Sequence, residues 1–488
     1  MNKSVHIIGS GFSAIAASCY LSKAGYNVTV LEKNATLGGR ARQYKKDGFT
    51  FDLGPSWYWM PDVFERFFAD FGNKPSDYYT LDKLSPGYEV YFGKNDSIKI
   101  SDKLEEIYKL FEEEEKGSSI HLKNFLASAK SNYDTAIKDL VYKPGISPLE
   151  LVNSTTIARV TQFFSTIRKQ VRKNIKSQKL IQILEFPVLF LGAKPSNTPA
   201  FYNFMNYADF GLGTWHPRGG MHKVIEGMVT LAISLGVQFE VNANVEKILV
   251  NEKNNVKGLV VNGKEIKTEL VLSGADYHHT ETLLNQNLRQ YSENYWSRKT
   301  FAPSSLLFYV GFDKKIKNAS HHTLFFDSNF DKHAEEIYDE PKWPTNPLFY
   351  ANFTSMTDKT SAPKCKEAGF FLIPLAPGIE DTEELREEYF HKILDRFEKL
   401  TNQEIKKYVL FKRSFCVKDF EQEYNSYKGN AYGMANTLMQ TAFLRPKIKS
   451  SKVNNLYFTG QLTVPGPGVP PSLISGKIAS DLILQKHH

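Results

Sequence analysis

Near the start of the chain, Gly9-Ser10-Gly11-Phe12-Ser13-Ala14 sets two glycines and a small residue in the order G-x-G-x-x-A, and a short apolar run further on ends in Glu32. These types at this spacing suit the holding of a dinucleotide. Gly9 permits a tight turn, and Gly11 lets backbone approach a pyrophosphate. Phe12 and Ser13 open a helix whose free N–H groups and partial positive charge suit phosphate, and Ala14 is small enough for close helix–strand packing. Glu32 is placed to accept hydrogen bonds from ribose hydroxyls.

The elements that must position these residues are legible around them. Ser4–Ile8 reads as a buried strand, and Ile15, Cys19 and Leu21 share one helical face. Gly25 sits where a helix-terminating glycine belongs, and Val28-Thr29-Val30-Leu31 forms the second strand. Next come Lys33 and the run to Gly39, Arg40 and Arg42. LEKNATLGGRARQ resembles the Gly-Gly-Arg element of flavoproteins of the glutathione-reductase type, which favours FAD over a nicotinamide. No second glycine fingerprint of comparable quality follows, so the electrons are expected from an organic substrate.

At the other end, 455–460 reads as a strand ending in Gly460, and the loop to Pro471 is rigid with proline and glycine. A helix is expected over 472–485. Its N-terminus, with amides of Val469, Ser472 and Leu473, is expected to face the flavin's N1 and C2 carbonyl and stabilise the reduced ring. GFTFDLGPSWYWMP, at 48–61, is either an active-site loop or an ordinary packed hairpin.

The composition bounds the rest. The chain has 488 residues, 41% hydrophobic and 23% charged, with a net charge of +8. That excludes bulk disorder and fibrous rods and suggests two or three domains. Three cysteines cannot make a disulfide framework, which points to a reducing cytosol. No apolar run is long enough for a spanning helix, and the opening residues are not expected to be a secretory signal. Nucleic-acid signatures are absent.

The motifs converge on a resemblance. GSGFSAIAASCYLSKAGYNVTVLEKNATLGGRAR, TWHPRGGMHKVIEGM, LSGADYHHT, HHTLFF and NLYFTGQLTVPGPGVPPSLISGKIASDLI are similar to carotenoid desaturases of the bacterial phytoene-desaturase type, within the FAD-dependent amine-oxidase superfamily. The likeness implies an α/β fold. A Rossmann-like FAD-binding domain (1–75, 215–285, 450–488) would carry an inserted mixed-sheet substrate domain (76–100, 286–449). A helical, membrane-associating subdomain would span 101–214. It also implies that Val245 contacts the adenine region and that Gly460, Gly468, Val469 and Pro470 line the flavin. Relatives carry an arginine before the Phe186-Pro187 segment. Here Ser165 falls at that place, with Arg168 one turn away.

The implied chemistry is removal of two hydrogens from adjacent carbons of a linear C40 carotenoid, a hydride to flavin N5 and a proton from the neighbouring carbon. Asp209, His216, Arg218, His278 and His279 are candidate polar participants beside Arg168, and no metal is needed. The leading expectation is phytoene desaturation. Alternatives are a 1-hydroxycarotenoid 3,4-desaturase, a carotenoid isomerase, an amine oxidase and a non-catalytic membrane flavoprotein. A quinone or oxygen would be the terminal acceptor.

Such a substrate comes from a membrane. Stepping about 100° per residue over 159–179, Arg168, Lys169, Arg172, Lys173, Lys176 and Lys179 fall on one side. Val160, Phe163, Phe164, Ile167, Val171 and Ile175 fall on the other. The pattern is that of an interfacial helix, expected to hold the chain peripherally on the cytoplasmic face of a membrane. The bland alternative is a surface helix packed on the core.

Overall fold

In the computed structural model, residues 3–138, 140–151 and 160–487 are described. Five parallel strands lie in the order Leu456–Phe458, Val271–Ser273, Ser4–Ile8, Asn27–Leu31, Gln238–Glu240. They come from three distant stretches of chain. Val5, Ile7, Val28 and Val30 are buried, as parallel strands covered on both faces require. The helix Phe12–Lys23 packs against the helices Val469–His487 and His222–Ser234. Gly476 allows the first contact: a Cβ there would strike the Ser13 carbonyl and lie 2.9 Å from the Ala16 Cβ. An antiparallel three-stranded sheet, Val245–Val250, Val256–Val261 and Lys264–Lys267, follows the expected hairpin.

A seven-stranded mixed sheet forms the second layer. Its strands run Val409–Phe415, Ser304–Phe312, Glu367–Leu375, Phe349–Asn352, His322–Phe325, Tyr88–Gly93, Asp96–Ile100. Every residue of Ser304–Phe312 is buried, so this strand shows none of the polar alternation that marks a half-exposed one. The helix Glu383–Thr401 covers one face, placing Phe390, Ile393, Leu394 and Phe397 in a core with Phe308 and Phe371.

The helices Leu104–Glu114 and Ser118–Lys138 pack on each other, and the second also packs on a series of short helical turns. Here the expected continuous helix over 159–179 gives way to three pieces, Val160–Phe164, Ile167–Arg172 and Gln178–Glu185. Arg159 falls outside the described residues. Both breaks are fixed by side-chain hydrogen bonds. Thr166 is extended and caps the second piece by accepting from the Lys169 amide. The Glu115 carboxylate takes the amides of Lys176 and Ser177, and Ser177 caps the third piece.

The basic face is divided as well. Arg172 makes a two-pronged pair with the buried Glu185, Arg168 pairs with Asp331 and lies near Glu185, and Lys179 pairs with Asp96 at 2.7 Å. Ile167, Val171 and Ile175 are buried in the core, while Lys169, Lys173 and Lys176 face solvent. Among the described residues no helix is long and apolar enough to cross a membrane.

Candidate functional site

A cavity of about 780 Å³ is lined at one end by Glu32, Lys33 and Val245 and at the other by Phe164, Leu438 and Met439. The first end is built by the turn after Ser4–Ile8. Gly9, at φ +86°, donates its amide to Leu31 O at 2.7 Å, and a Cβ on it would lie 3.3 Å from the Ala275 amide nitrogen. Ser10 donates its amide and hydroxyl to one Glu32 oxygen, at 3.0 and 2.6 Å, and the Asn34 amide donates to the other at 2.8 Å. The carboxylate is thereby fixed at the end of its strand, with acceptor capacity left for hydroxyls.

The helix Phe12–Lys23 starts at Gly11 with no side-chain cap, so its first N–H groups open onto the cavity that Phe12 and Ser13 line. Gly39, at φ +55°, brings the second element so close that a Cβ would lie 3.2 Å from Gly11 Cα.

Arg40 tests the fit of FAD. Its half-buried side chain donates to Ser426 Oγ and the Asn430 carbonyl, and its buried Nε has no partner among the described residues. Burial holds its pKa below the ordinary value against attraction from Asp276, whose own carboxyl is raised by burial. A desolvated cation with an unused donor, beside an uncapped helix end, fits a pyrophosphate. Gly54 completes the cradle: a Cβ there would lie 2.5 Å from the Arg40 carbonyl oxygen.

The carboxyl-terminal loop meets this cradle. Gly460, Gly468, Val469, Pro470 and Ser472 all line the cavity, and the last helix begins at Val469, earlier than expected. One expected amide is not free, since Ser472 donates to Gly468 O at 3.0 Å in the first turn of that helix. Prolines 470 and 471 have no N–H. The positive end of the helix is therefore presented through Gly468 and Val469.

Two residues expected at the cofactor fall outside the cavity lining. Ala14 packs on Gly274, where a Cβ would lie 2.7 Å from its own. Arg42 pairs with Glu423 at 2.7 Å and lies over the Tyr424 ring, outside the cavity lining.

The candidate acid–base residues separate. Arg168 is held by Asp331 and Glu185, and Arg218 pairs with Asp82 on the surface. Asp209 accepts from the buried Tyr88 hydroxyl at 2.8 Å. None of the three lines the cavity. His279 does, but at the Glu32 end, beside Asn425. His278 pairs with Glu293 at 2.9 Å. His216 bonds Asp358 at 3.3 Å, with its ring against His321.

Beyond Gly54 the walls become aromatic. In the 48–61 segment, Phe49–Asp52 pairs in a hairpin and Gly54–Trp57 lines the cavity. Trp57 lies against Phe186 and Phe190 and stacks on His322 at 4.0 Å. Tyr350 lines the same wall and bonds Ser56 and His322. Sequence reasoning did not single out Ser10, Gly54, Ser56 or Tyr350. Ser10 lay inside the fingerprint it now braces, whereas Tyr350 sits mid-strand with no spacing signal. At the far end, exposed Ile146, Leu149, Phe164, Leu438 and Met439 come from the segments that line the cavity there.

Residues 13–484 match the family of flavin containing amine oxidoreductases. The carotenoid 3,4-desaturase of Haloarcula japonica is 40% identical over 485 residues, 99% of this chain and 98% of that protein. The 4,4'-diapophytoene desaturase (4,4'-diaponeurosporene-forming) of Staphylococcus haemolyticus is 30% identical over 497 residues, again 99% and 98%. Among solved structures, an oxidoreductase from Methanosarcina mazei matches with a TM-score of 0.63 over 98% of this chain and 100% of that one, at 16% identity. This last likeness speaks for the fold.

Proposed function

The chain belongs to the flavin containing amine oxidoreductases, and within them to the carotenoid desaturases, and from that we propose that it is a carotenoid 3,4-desaturase. Its cofactor is FAD, and it is an oxidoreductase acting on CH–CH groups. The observation that carries the reading is one cavity joining the dinucleotide cradle to aromatic walls and an exposed apolar rim. The sequence alone put phytoene first. Identity of 40% to a 3,4-desaturase, against 30% to a diapophytoene desaturase, supports the other order.

Glu32, Arg40, the Gly11 helix start and the Gly468–Val469 helix start would hold FAD. When bound, the flavin supplies a two-electron acceptor for hydrogen removed from adjacent carbons. The chain's own work is then positioning. A linear C40 carotenoid offers no charge to grip, so Trp57, Phe186 and Phe190 hold it by shape while keeping water out. A quinone or oxygen then takes the electrons. The apolar rim docks on the cytoplasmic face of a membrane and lets the substrate pass from lipid into the cavity.

Expression in cells that make only phytoene, and in cells that also make 1-hydroxylated carotenoids, tests the assignment by pigment chromatography. We expect no new pigment in the first and a product longer by one conjugated double bond in the second. Coloured product from phytoene alone would restore the phytoene reading.

A further inference from the structure

The reaction read above releases a proton as well as an electron pair, and none of Arg168, Asp209 and Arg218 lines the cavity to take it. A buried cluster in the aromatic wall does. Tyr350 lines the cavity, and its hydroxyl lies 3.0 Å from Ser56 Oγ and 2.6 Å from His322 Nδ1. The same Nδ1 accepts from the Asn352 side-chain amide at 3.2 Å. Asn352 can only donate there, so Nδ1 carries no proton and takes one from Tyr350. The His322 proton is then on Nε2, which is buried and without a partner among the described residues. Stacking on Trp57 at 4.0 Å and 10° fixes the ring.

The cluster continues outward. The His321 ring centroid lies 4.5 Å from that of His322, and its Nε2 is likewise buried and unpartnered. Its Nδ1 bonds the hydroxyl of Thr357, an exposed residue, at 2.6 Å. Behind it stands His216, bonded to Asp358. Burial and the neighbouring imidazoles hold both His321 and His322 well below the ordinary histidine value, so both are neutral and able to accept.

We propose that Tyr350 and His322 form a proton relay: Tyr350 is the catalytic residue that takes the substrate's proton, and His322 is the positioning residue that receives the proton Tyr350 gives up. One carbon loses hydrogen with its electron pair to the flavin. The C–H bond of its neighbour breaks, its electrons close the new double bond, and its proton binds the Tyr350 oxygen as the phenolic proton moves to His322 Nδ1. His322 then holds the extra proton as an imidazolium and gives it up to water once the product has left the cavity. A carbon beside an allylic cation is a strong acid, so a neutral phenol–imidazole pair is base enough.

This inference rests on the desaturase reading, and its test separates the two. In the FAD-loaded full chain, anaerobic flavin reduction by a 1-hydroxylated carotenoid is followed in H2O and D2O for the parent, Tyr350→Phe and His322→Asn. We expect both variants to keep FAD and to lose about 10²-fold in rate, with the solvent isotope effect of the parent abolished. Independently of turnover, 15N-histidine NMR is expected to show an unprotonated, hydrogen-bonded Nδ1, assigned by its loss in His322→Asn and shifted in Tyr350→Phe. A protonated Nδ1, or one unmoved by Tyr350→Phe, overturns the relay, as does Tyr350→Phe at parental rate and isotope effect. A parent whose flavin stays oxidised with every carotenoid offered overturns the desaturase reading and the relay with it.

Discussion

A carboxyl group sealed from water holds its proton, and Asp209 is such a group. Burial pushes its pKa from 3.8 up to about 8, only partly opposed by the Tyr88 hydroxyl. Between those values the folded chain keeps a proton that the unfolded chain has released. Stability therefore falls as pH rises through this window, by up to about 1.4 kcal/mol per pH unit, and levels off above it. Asp209→Asn keeps an acceptor for Tyr88 and cannot ionise. Urea denaturation of parent and variant from about pH 5 to pH 8 is expected to show the variant gaining on the parent as pH rises. A constant difference would mean that Asp209 is ionised in the fold. Asp209, a candidate polar participant in the sequence, is thus buried against Tyr88 and outside the cavity lining.

Between elements, small residues set the spacing on which the cradle depends. Gly476 places the last helix against Ser13 and Ala16, directly behind the turn that lines the cavity. Gly476→Val is expected to destabilise the fold by about 1–3 kcal/mol through overpacking and to lower FAD content by shifting Phe12 and Ser13. The denaturation midpoint and the flavin absorbance per chain read the two effects, and unchanged values in both would show that the helices have room to part. What was legible in the sequence follows from the same local logic. The first strand, helix, second strand and Glu32 carry their own turn and packing signals within forty residues. The helix over 159–179 was misread because its apolar period continues across breaks made by distant partners, the Glu115 carboxylate among them. The Tyr350–His322 pair was invisible for a related reason. It joins neighbouring strands in which His322 stands opposite Asn352 and Tyr350 opposite Leu324, a register no spacing encodes.

On the scale of the whole molecule, the cavity has to meet its substrate, and the place where it does so shapes the membrane proposal. Phe164, Leu438 and Met439 line it and are exposed, Phe164 at 75% and Met439 at 70%, and the exposed Ile146 and Leu149 stand in sequence among the lining residues Gly145, Ser147 and Glu150. Lys169, Lys173 and Lys176 face solvent, whereas Arg168 and Arg172 are committed to Glu185 and Asp331. Reversing those arginines would leave the buried Glu185 unpaired and confuse unfolding with release. The discriminating variant is Phe164→Asp with Met439→Asp. Burial of two such side chains contributes about 3–6 kcal/mol, so flotation with anionic liposomes should fall by at least about 10²-fold while FAD content stays at the parental level. Replacing Lys169, Lys173 and Lys176 with glutamine should weaken binding to anionic vesicles at low salt and matter little at high salt, because headgroup attraction is screened and apolar insertion is not. Unaltered flotation of the double aspartate variant would place the docking surface elsewhere on the molecule.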